Sequence, residues 1–162
     1  MSDLLRGDIR EIPAASNVEE LAKLKAEGFN VLVDMTAIDR LKLGKLPRFE
    51  VVYRFMKLDA ATGEDRGRAE ARCAVDEQPV LRSAKGLWPN ADWLEREVWD
   101  MFGVKFADRP DIKRLLMYEE FSGHALRKDY PIAKRQPLIG PKSGDKAGSP
   151  SFNILKPTVT GE

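Results

Sequence analysis

The 162-residue sequence is poor in the residue types on which cofactor and metal chemistry is usually built. Cys73 is its one cysteine, so an internal disulfide is impossible and a reducing compartment fits best. An iron–sulfur cluster held by this chain alone is excluded too, because such clusters take about four ligands. His124 is the one histidine. With no second histidine or cysteine at ligand spacing, a zinc site would have to be built almost wholly from carboxylates. There is no glycine-rich dinucleotide fingerprint and no phosphate loop. No apolar run approaches the roughly 18 residues of a membrane span. The amino terminus, MSDLLRGDIREIP, lacks the apolar centre of a secretory signal and carries acids that a transit peptide would avoid. Neither charge dominates: 27 basic residues face 26 acidic ones, which argues against nucleic-acid binding and against a polybasic membrane-surface role. The expectation is a soluble, bacterial-cytoplasmic chain that meets a membrane only through partners.

What the chain does have is one domain's length of patterned sequence. A short strand is expected around Leu5–Ile12, stopped by Pro13. Asn17 with Glu20 reads as a capping box, and Val18, Leu21, Ala22 and Leu24 give an apolar stripe ending near Gly28. From Phe29 the period becomes two: Phe29, Val31, Val33, Met35 and Ala37 predict a strand. After a basic loop over 40–47, Phe49, Val51, Tyr53 and Phe55 predict another. Beyond the turn DAATGEDRG, Ala69, Ala71, Cys73 and Val75 predict a third, in antiparallel hairpin with the one before it. The fold class this implies is α+β, an antiparallel sheet with helices packed on one face, over residues 1–131. Residues 132–162 differ, with four prolines, four glycines and scarcely any apolar periodicity. Five basic residues (Lys134, Arg135, Lys142, Lys146, Lys156) face two acids (Asp145, Glu162) there. Such a segment cannot fold alone. It reads either as a disordered tail or as an extended arm along a partner, with Ile139, Phe152 and Leu155 as anchors.

Residues 88–131 hold all three tryptophans and the histidine. Their first part predicts a helix capped by Asn90 or by an Asp92/Glu95 capping box, and stopped by Gly103. Ala91, Leu94, Val98, Trp99, Met101 and Phe102 fall on one arc. Asp92, Arg96, Glu97 and Asp100 fall opposite, with Trp93 among them. Glu95 breaks the pattern by projecting into the apolar arc. A carboxylate there needs a cation and donors, and Arg109, Arg114, Arg127 and Lys128 are the available suppliers. Glu95, Glu97 and Asp100 could be read as paired acid/base carboxylates. Their placement on different sides of the helix instead suits ion pairs with arginines of the following loop. Ser122 beside His124 lacks any nucleophile-elbow context. The tryptophans suit core and interface anchoring, Trp93 above all.

EREVWDMFGVKFADRPDIKRLLM followed by GHALRKDYP resembles the signature of the 30 kDa-type subunit of proton-pumping NADH:quinone oxidoreductase, respiratory complex I. Glu95, Arg96, Glu97, Asp100, Arg114, Arg127, Lys128 and Asp129 match the family's charged positions, and His124 and Tyr130 lie within the same run. Arg109 stands where the family often has His, and Ala125 where it usually has Pro. The resemblance implies a structural, non-catalytic subunit in the peripheral arm, on the cytoplasmic side of the bacterial inner membrane. It implies no cofactor on this chain, with FMN, iron–sulfur clusters and quinone (ubiquinone or another) in partner subunits. The chief partner would be the large quinone-site subunit, and 127–131 would be a docking surface. Two rivals remain: the equivalent subunit of a membrane-bound hydrogenase or formate hydrogenlyase, and a free-standing acid/base enzyme using Glu95 or Glu97.

Overall fold

The computed structural model describes residues 7–76, 80–131 and 133. The remaining residues, including the expected arm and its anchors Ile139, Phe152 and Leu155, lie outside that set. The described elements run β1 (Asp8–Ile12), α1 (Asn17–Ala26), β2 (Val31–Asp39), β3 (Phe49–Leu58), β4 (Asp65–Val75), β5 (Val80–Leu81), α2 (Ala91–Phe102) and β6 (Lys105–Phe106). Four strands form one sheet in the order β1-β4-β3-β2, and β5 pairs with β6 in a small second sheet.

The meander β2-β3-β4 is antiparallel as the alternation requires. The sheet as a whole is mixed, because β1 joins β4 in parallel, with Asp8 opposite Ala69 and Ile12 opposite Cys73. The meander leaves β4 with a free edge, and the chain takes that edge first. It then passes through α1 to β2 on the opposite edge. This first strand carries little pattern, since Ile12 is its only buried residue.

Tyr53, Phe49, Val51 and Phe55 of β3 and Ala71 and Cys73 of β4 are all essentially sealed from solvent. The helices deliver Leu21, Leu24, Val98, Met101 and Phe102 to the same core. The opposite face carries a chain of charges that runs across the strands: Asp34–Arg54, Arg54–Glu70, Glu70–Arg72 within β4, Arg72–Glu50, and Glu50–Arg40 just past β2. The helices therefore cover one face only, as expected.

Three local expectations fail for physical reasons. Val33 is 54% exposed rather than inward. The β2–β3 register shifts between Leu32 and Asp34, so the inward set becomes Leu32, Met35, Ala37 and Asp39. An extra residue in one strand reverses the facing on one side of it relative to the other, so Leu32 takes the inward place of Val31 and Val33 while Met35 and Ala37 stay inward. Neither capping box forms. The Asn17 side chain is drawn into the interior, donating to the Arg82 carbonyl at 2.8 Å and accepting from the Arg82 amide at 3.2 Å. Asn90 likewise donates to the Leu32 carbonyl at 2.7 Å instead of capping α2. The β5–β6 pair leaves no sequence signal, being only two residues long in each strand.

The phenol of Tyr53 is fully buried with no hydrogen-bond partner among the described residues. An unmet buried hydroxyl costs stability. Tyr53→Phe is therefore expected to leave stability unchanged or raise it by up to about 1 kcal/mol. Phe55→Ala, which opens a cavity in the same strand, should cost about 3–5 kcal/mol. Urea unfolding monitored by tryptophan fluorescence checks both, and a clear loss in Tyr53→Phe would show that the hydroxyl has a partner.

Candidate functional site

The charged residues of 95–130 are positioned by α2 and by the strap that follows it, residues 103–131. Apart from β6 this strap has no regular structure, yet it lies over the core, so its backbone polar groups need partners. Its course begins at the end of α2. The last four carbonyls of a helix have no partner within it, and here all four are met. Gly103, at φ +78°, gives its amide to Trp99 at 2.8 Å. His124 Nδ1 meets the Asp100 carbonyl at 3.0 Å, the Leu126 amide meets Met101 at 3.0 Å, and Arg127 Nη1 reaches Phe102 at 3.5 Å. A carbonyl can only accept, so His124 carries its proton on Nδ1. Burial pushes the His124 imidazole below its ordinary pKa. A side chain at Gly103 would lie 2.7 Å from the His124 ring, so this glycine is required by space as well as by φ.

Asp100 is completely buried, although its helical position places it on the polar side. One carboxylate oxygen accepts from Arg114 at 2.6 Å. The other accepts three consecutive backbone amides, those of Leu115 (3.0 Å), Leu116 (2.8 Å) and Met117 (2.8 Å). Burial works to raise this carboxyl's pKa, but the Met117 amide, the Arg114 guanidinium and the two other amides outweigh it and hold it below the usual value. Arg114 then donates to the carbonyls of Phe121 at 2.7 Å and Gly123 at 3.0 Å, while lying over the rings of Trp99 and Phe121. Arg96 donates to the carbonyls of Lys113 and Arg114 and stacks on Trp93, which is 59% exposed.

Glu95 is also completely buried and meets an arginine of the strap, as its place in the apolar arc demands. The partner is Arg109, at 3.0 Å, which also bridges to Asp92 at 2.7 Å. Ser83 Oγ and the Ala84 amide each donate to Glu95 at 2.7 Å. Burial nevertheless leaves its carboxyl pKa raised, against the pull of Ser83 and Arg109. Glu97 is exposed and has no ion pair among the described residues, so the arginine partner expected for it is not found. Glu95 is sealed in the interior while Glu97 is open to solvent, and both oxygens of Glu95 are already occupied by donors.

A third cluster has no counterpart in the sequence reading. Asp39, inward with Met35 and Ala37, is bound by Arg48 through both carboxylate oxygens, at 3.1 and 2.8 Å. It also accepts the amides of Leu41 (3.0 Å) and Lys128 (2.8 Å). Arg48 continues to Asp129 at 3.0 Å, and Asp129 to Arg127 at 3.1 Å. The guanidinium groups of Arg48 and Arg127 both lie about 5 Å from the Phe49 ring centre. Burial opposes ionisation of Asp39, yet Arg48 and the Lys128 and Leu41 amides hold its pKa well down. Of 127–131, the Lys128 side chain is exposed, Asp129 is 45% exposed, and Tyr130 stacks on Phe121 at 5.7 Å. The signal for this cluster would have been Asp39 itself, two residues past inward Ala37.

Fold and site together define an α+β module whose ionised side chains serve to fasten an irregular strap. A family model, "Respiratory-chain NADH dehydrogenase, 30 Kd subunit", matches residues 11–136. The C subunit of NADH-quinone oxidoreductase from Citrifermentans bemidjiense is 40% identical over 144 residues, covering 83% of each chain. NADH-quinone oxidoreductase subunit 5 of Thermus thermophilus is 39% identical over 131 residues, which cover 79% of this chain and 63% of that one. Among solved structures, a trypsin-resistant fragment (1–134) of Nqo5 is 37% identical with a TM-score of 0.58, covering 64% of this chain and 80% of that one. The chain belongs to the 30 kDa-subunit family of respiratory-chain NADH dehydrogenases.

Two outcomes follow from the buried carboxylates. Glu95→Ala leaves Arg109 its bridge to Asp92 but removes the acceptor of the Ala84 amide and the Ser83 hydroxyl, and should lower stability by about 1–3 kcal/mol in denaturant unfolding. A carboxyl whose pKa is depressed in the fold contributes stability above its unfolded value, near 4, and loses it as pH falls through the folded value. Asp39 and Asp100 act in this sense, whereas Glu95, with its pKa raised, favours folding at low pH and loses that contribution as pH rises. Asp100→Asn is therefore expected to be less stable than wild type at pH 7, and to lose less further stability on acidification to pH 3. Parallel acid slopes for the two proteins would contradict the assignment.

Proposed function

We propose that this chain is a structural, non-catalytic subunit in the peripheral arm of a proton-translocating NADH:quinone oxidoreductase. In this reading it holds neighbouring subunits in register near the quinone site while electrons pass from NADH to quinone elsewhere in the assembly. The observation that carries the reading is that Glu95, Asp100, His124 and Arg114 are all bound to groups of their own chain. A residue so engaged shapes a surface and is not poised to react. FMN, iron–sulfur clusters and quinone are assigned to partner subunits. One buried cysteine supplies one of the four or so ligands a cluster needs. The chief partner is taken to be the large quinone-site subunit, and the location the cytoplasmic side of the bacterial inner membrane, reached through the complex. Among the described residues no helix is long and apolar enough to cross a membrane.

Purification of the tagged chain from its own cells in mild detergent is the test. The expected result is recovery with the other subunits of a flavin-containing NADH:quinone oxidoreductase, while the separately purified chain carries neither flavin nor iron and has no turnover. Recovery with nickel instead would support the hydrogenase-type reading. Stoichiometric flavin or iron on the isolated chain would contradict the non-catalytic role.

A further inference from the structure

The hairpin between β2 and β3 carries the most exposed large apolar side chains of the described surface. Residues 40–48 read RLKLGKLPR and contain no acid. Leu41 is 43% exposed, Leu43 66% and Leu46 86%. Leucines normally gain by turning away from water, and these are prevented from doing so by the way the hairpin is clamped. At its base the buried Asp39–Arg48 pair and the Arg40 amide, which donates to the Arg48 carbonyl at 2.8 Å, close the loop. Arg40 is tied further to Glu50 on the open face of the sheet. Beyond the clamp, a short turn over Leu41–Leu43 ends at Gly44 in the left-handed region at φ +62°. The tip stands out with its leucines unmet among the described residues. Lys42 and Lys45 lie between them, both exposed and neither paired with a carboxylate among the described residues.

We propose that the 40–48 hairpin is a docking knob that inserts into an apolar socket rimmed by carboxylates on a neighbouring subunit of the complex. The inference rests on the membership proposed above and names the chemistry of one contact within it. Leucines interleaved with unpaired lysines call for a partner surface that is apolar at its centre and acidic at its edge. A protein socket fits better than a lipid surface. Amphipathic helices that lie in the membrane interface present a continuous apolar face and orient freely in its plane, whereas this tip is a turn fixed at both ends by ion pairs. Its fixed shape also limits the conformational freedom lost on docking. The contact continues onto the strap, because the Lys128 amide is held by the same Asp39 carboxylate. Leu126 (48% exposed) and the Lys128 side chain extend the basic, apolar character there.

The test compares the full chain with two variants, Leu43→Ser/Leu46→Ser and Lys42→Glu/Lys45→Glu, in the cells that make the complex. As isolated proteins both are expected to melt with the wild type, since the changed side chains face solvent. Their recovery in the assembled complex should fall by about tenfold or more. Lys42 and Lys45 should also react with an amine-acetylating reagent in the isolated chain and be protected in the complex. Recovery of both variants at the wild-type level, or equal acetylation in the two states, overturns the proposal. So does binding of the isolated chain to phosphatidylethanolamine/phosphatidylglycerol vesicles that is lost in Leu43→Ser/Leu46→Ser, which would assign the knob to lipid. Concentration-dependent dimerisation abolished by the same variant would assign it to a second copy of this chain, with the same consequence. If the wild-type chain itself is not recovered with the complex, the membership reading fails and the knob fails with it. Failure of the knob alone leaves wild-type recovery intact.

Discussion

An irregular segment lying on a core must have its backbone amides and carbonyls met by something other than a ladder or a helix. The strap over 103–131 meets this constraint with ionised side chains. Asp100 takes the amides of 115–117, Arg114 the carbonyls of Phe121 and Gly123, Arg96 those of Lys113 and Arg114, and Asp39 the amide of Lys128. In the other direction the strap supplies all four donors that the end of α2 requires, from Gly103, His124, Leu126 and Arg127. Helix end and strap are therefore completed by one another, and the high density of charge in this part of the sequence is the means.

Buried charges of this kind contribute little net stability compared with apolar packing, because desolvation offsets most of their attraction. What they impose is exclusivity. A carboxylate accepting three successive amides and a guanidinium fits one local backbone path, and any other path leaves a buried charge unmet. The core made by Phe49, Val51, Tyr53 and Phe55 against α2 provides the cohesion. The strap's shape, and with it the surface offered to neighbours, is fixed by Glu95, Asp100 and Asp39.

Much of this is legible in the sequence. The β4 face follows from strict alternation, the inward set of β3 from Phe49, Val51, Tyr53 and Phe55, the end of α2 from Gly103, and the burial of Glu95 from a charge in an apolar arc. Alternation fails at the start of β2, where one extra residue turns Val33 outward. Asp39 keeps the inward parity of Met35 and Ala37, but an acid on that face does not announce its partner, Arg48, nine residues on. Asp100 is misplaced by helical periodicity because that rule describes a helix facing one surface, and α2 is covered on a second side by the strap. The capping boxes fail because Asn17, Asn90 and Glu95 find stronger partners far away in sequence. Local rules rank local alternatives only.

The Asp39 carboxylate has one partner nine residues away, Arg48, and another 89 residues away, the Lys128 amide. A chain emerging from the ribosome in order can neutralise this carboxylate as soon as the β2–β3 hairpin forms, long before the strap exists. The acid thus waits in the nascent protein already paired and still able to accept. Closure of the strap then comes later, when residues 124–128 emerge and find both the end of α2 and Asp39 already in place. Late completion of that surface would keep the unfinished polypeptide from engaging its neighbours too soon.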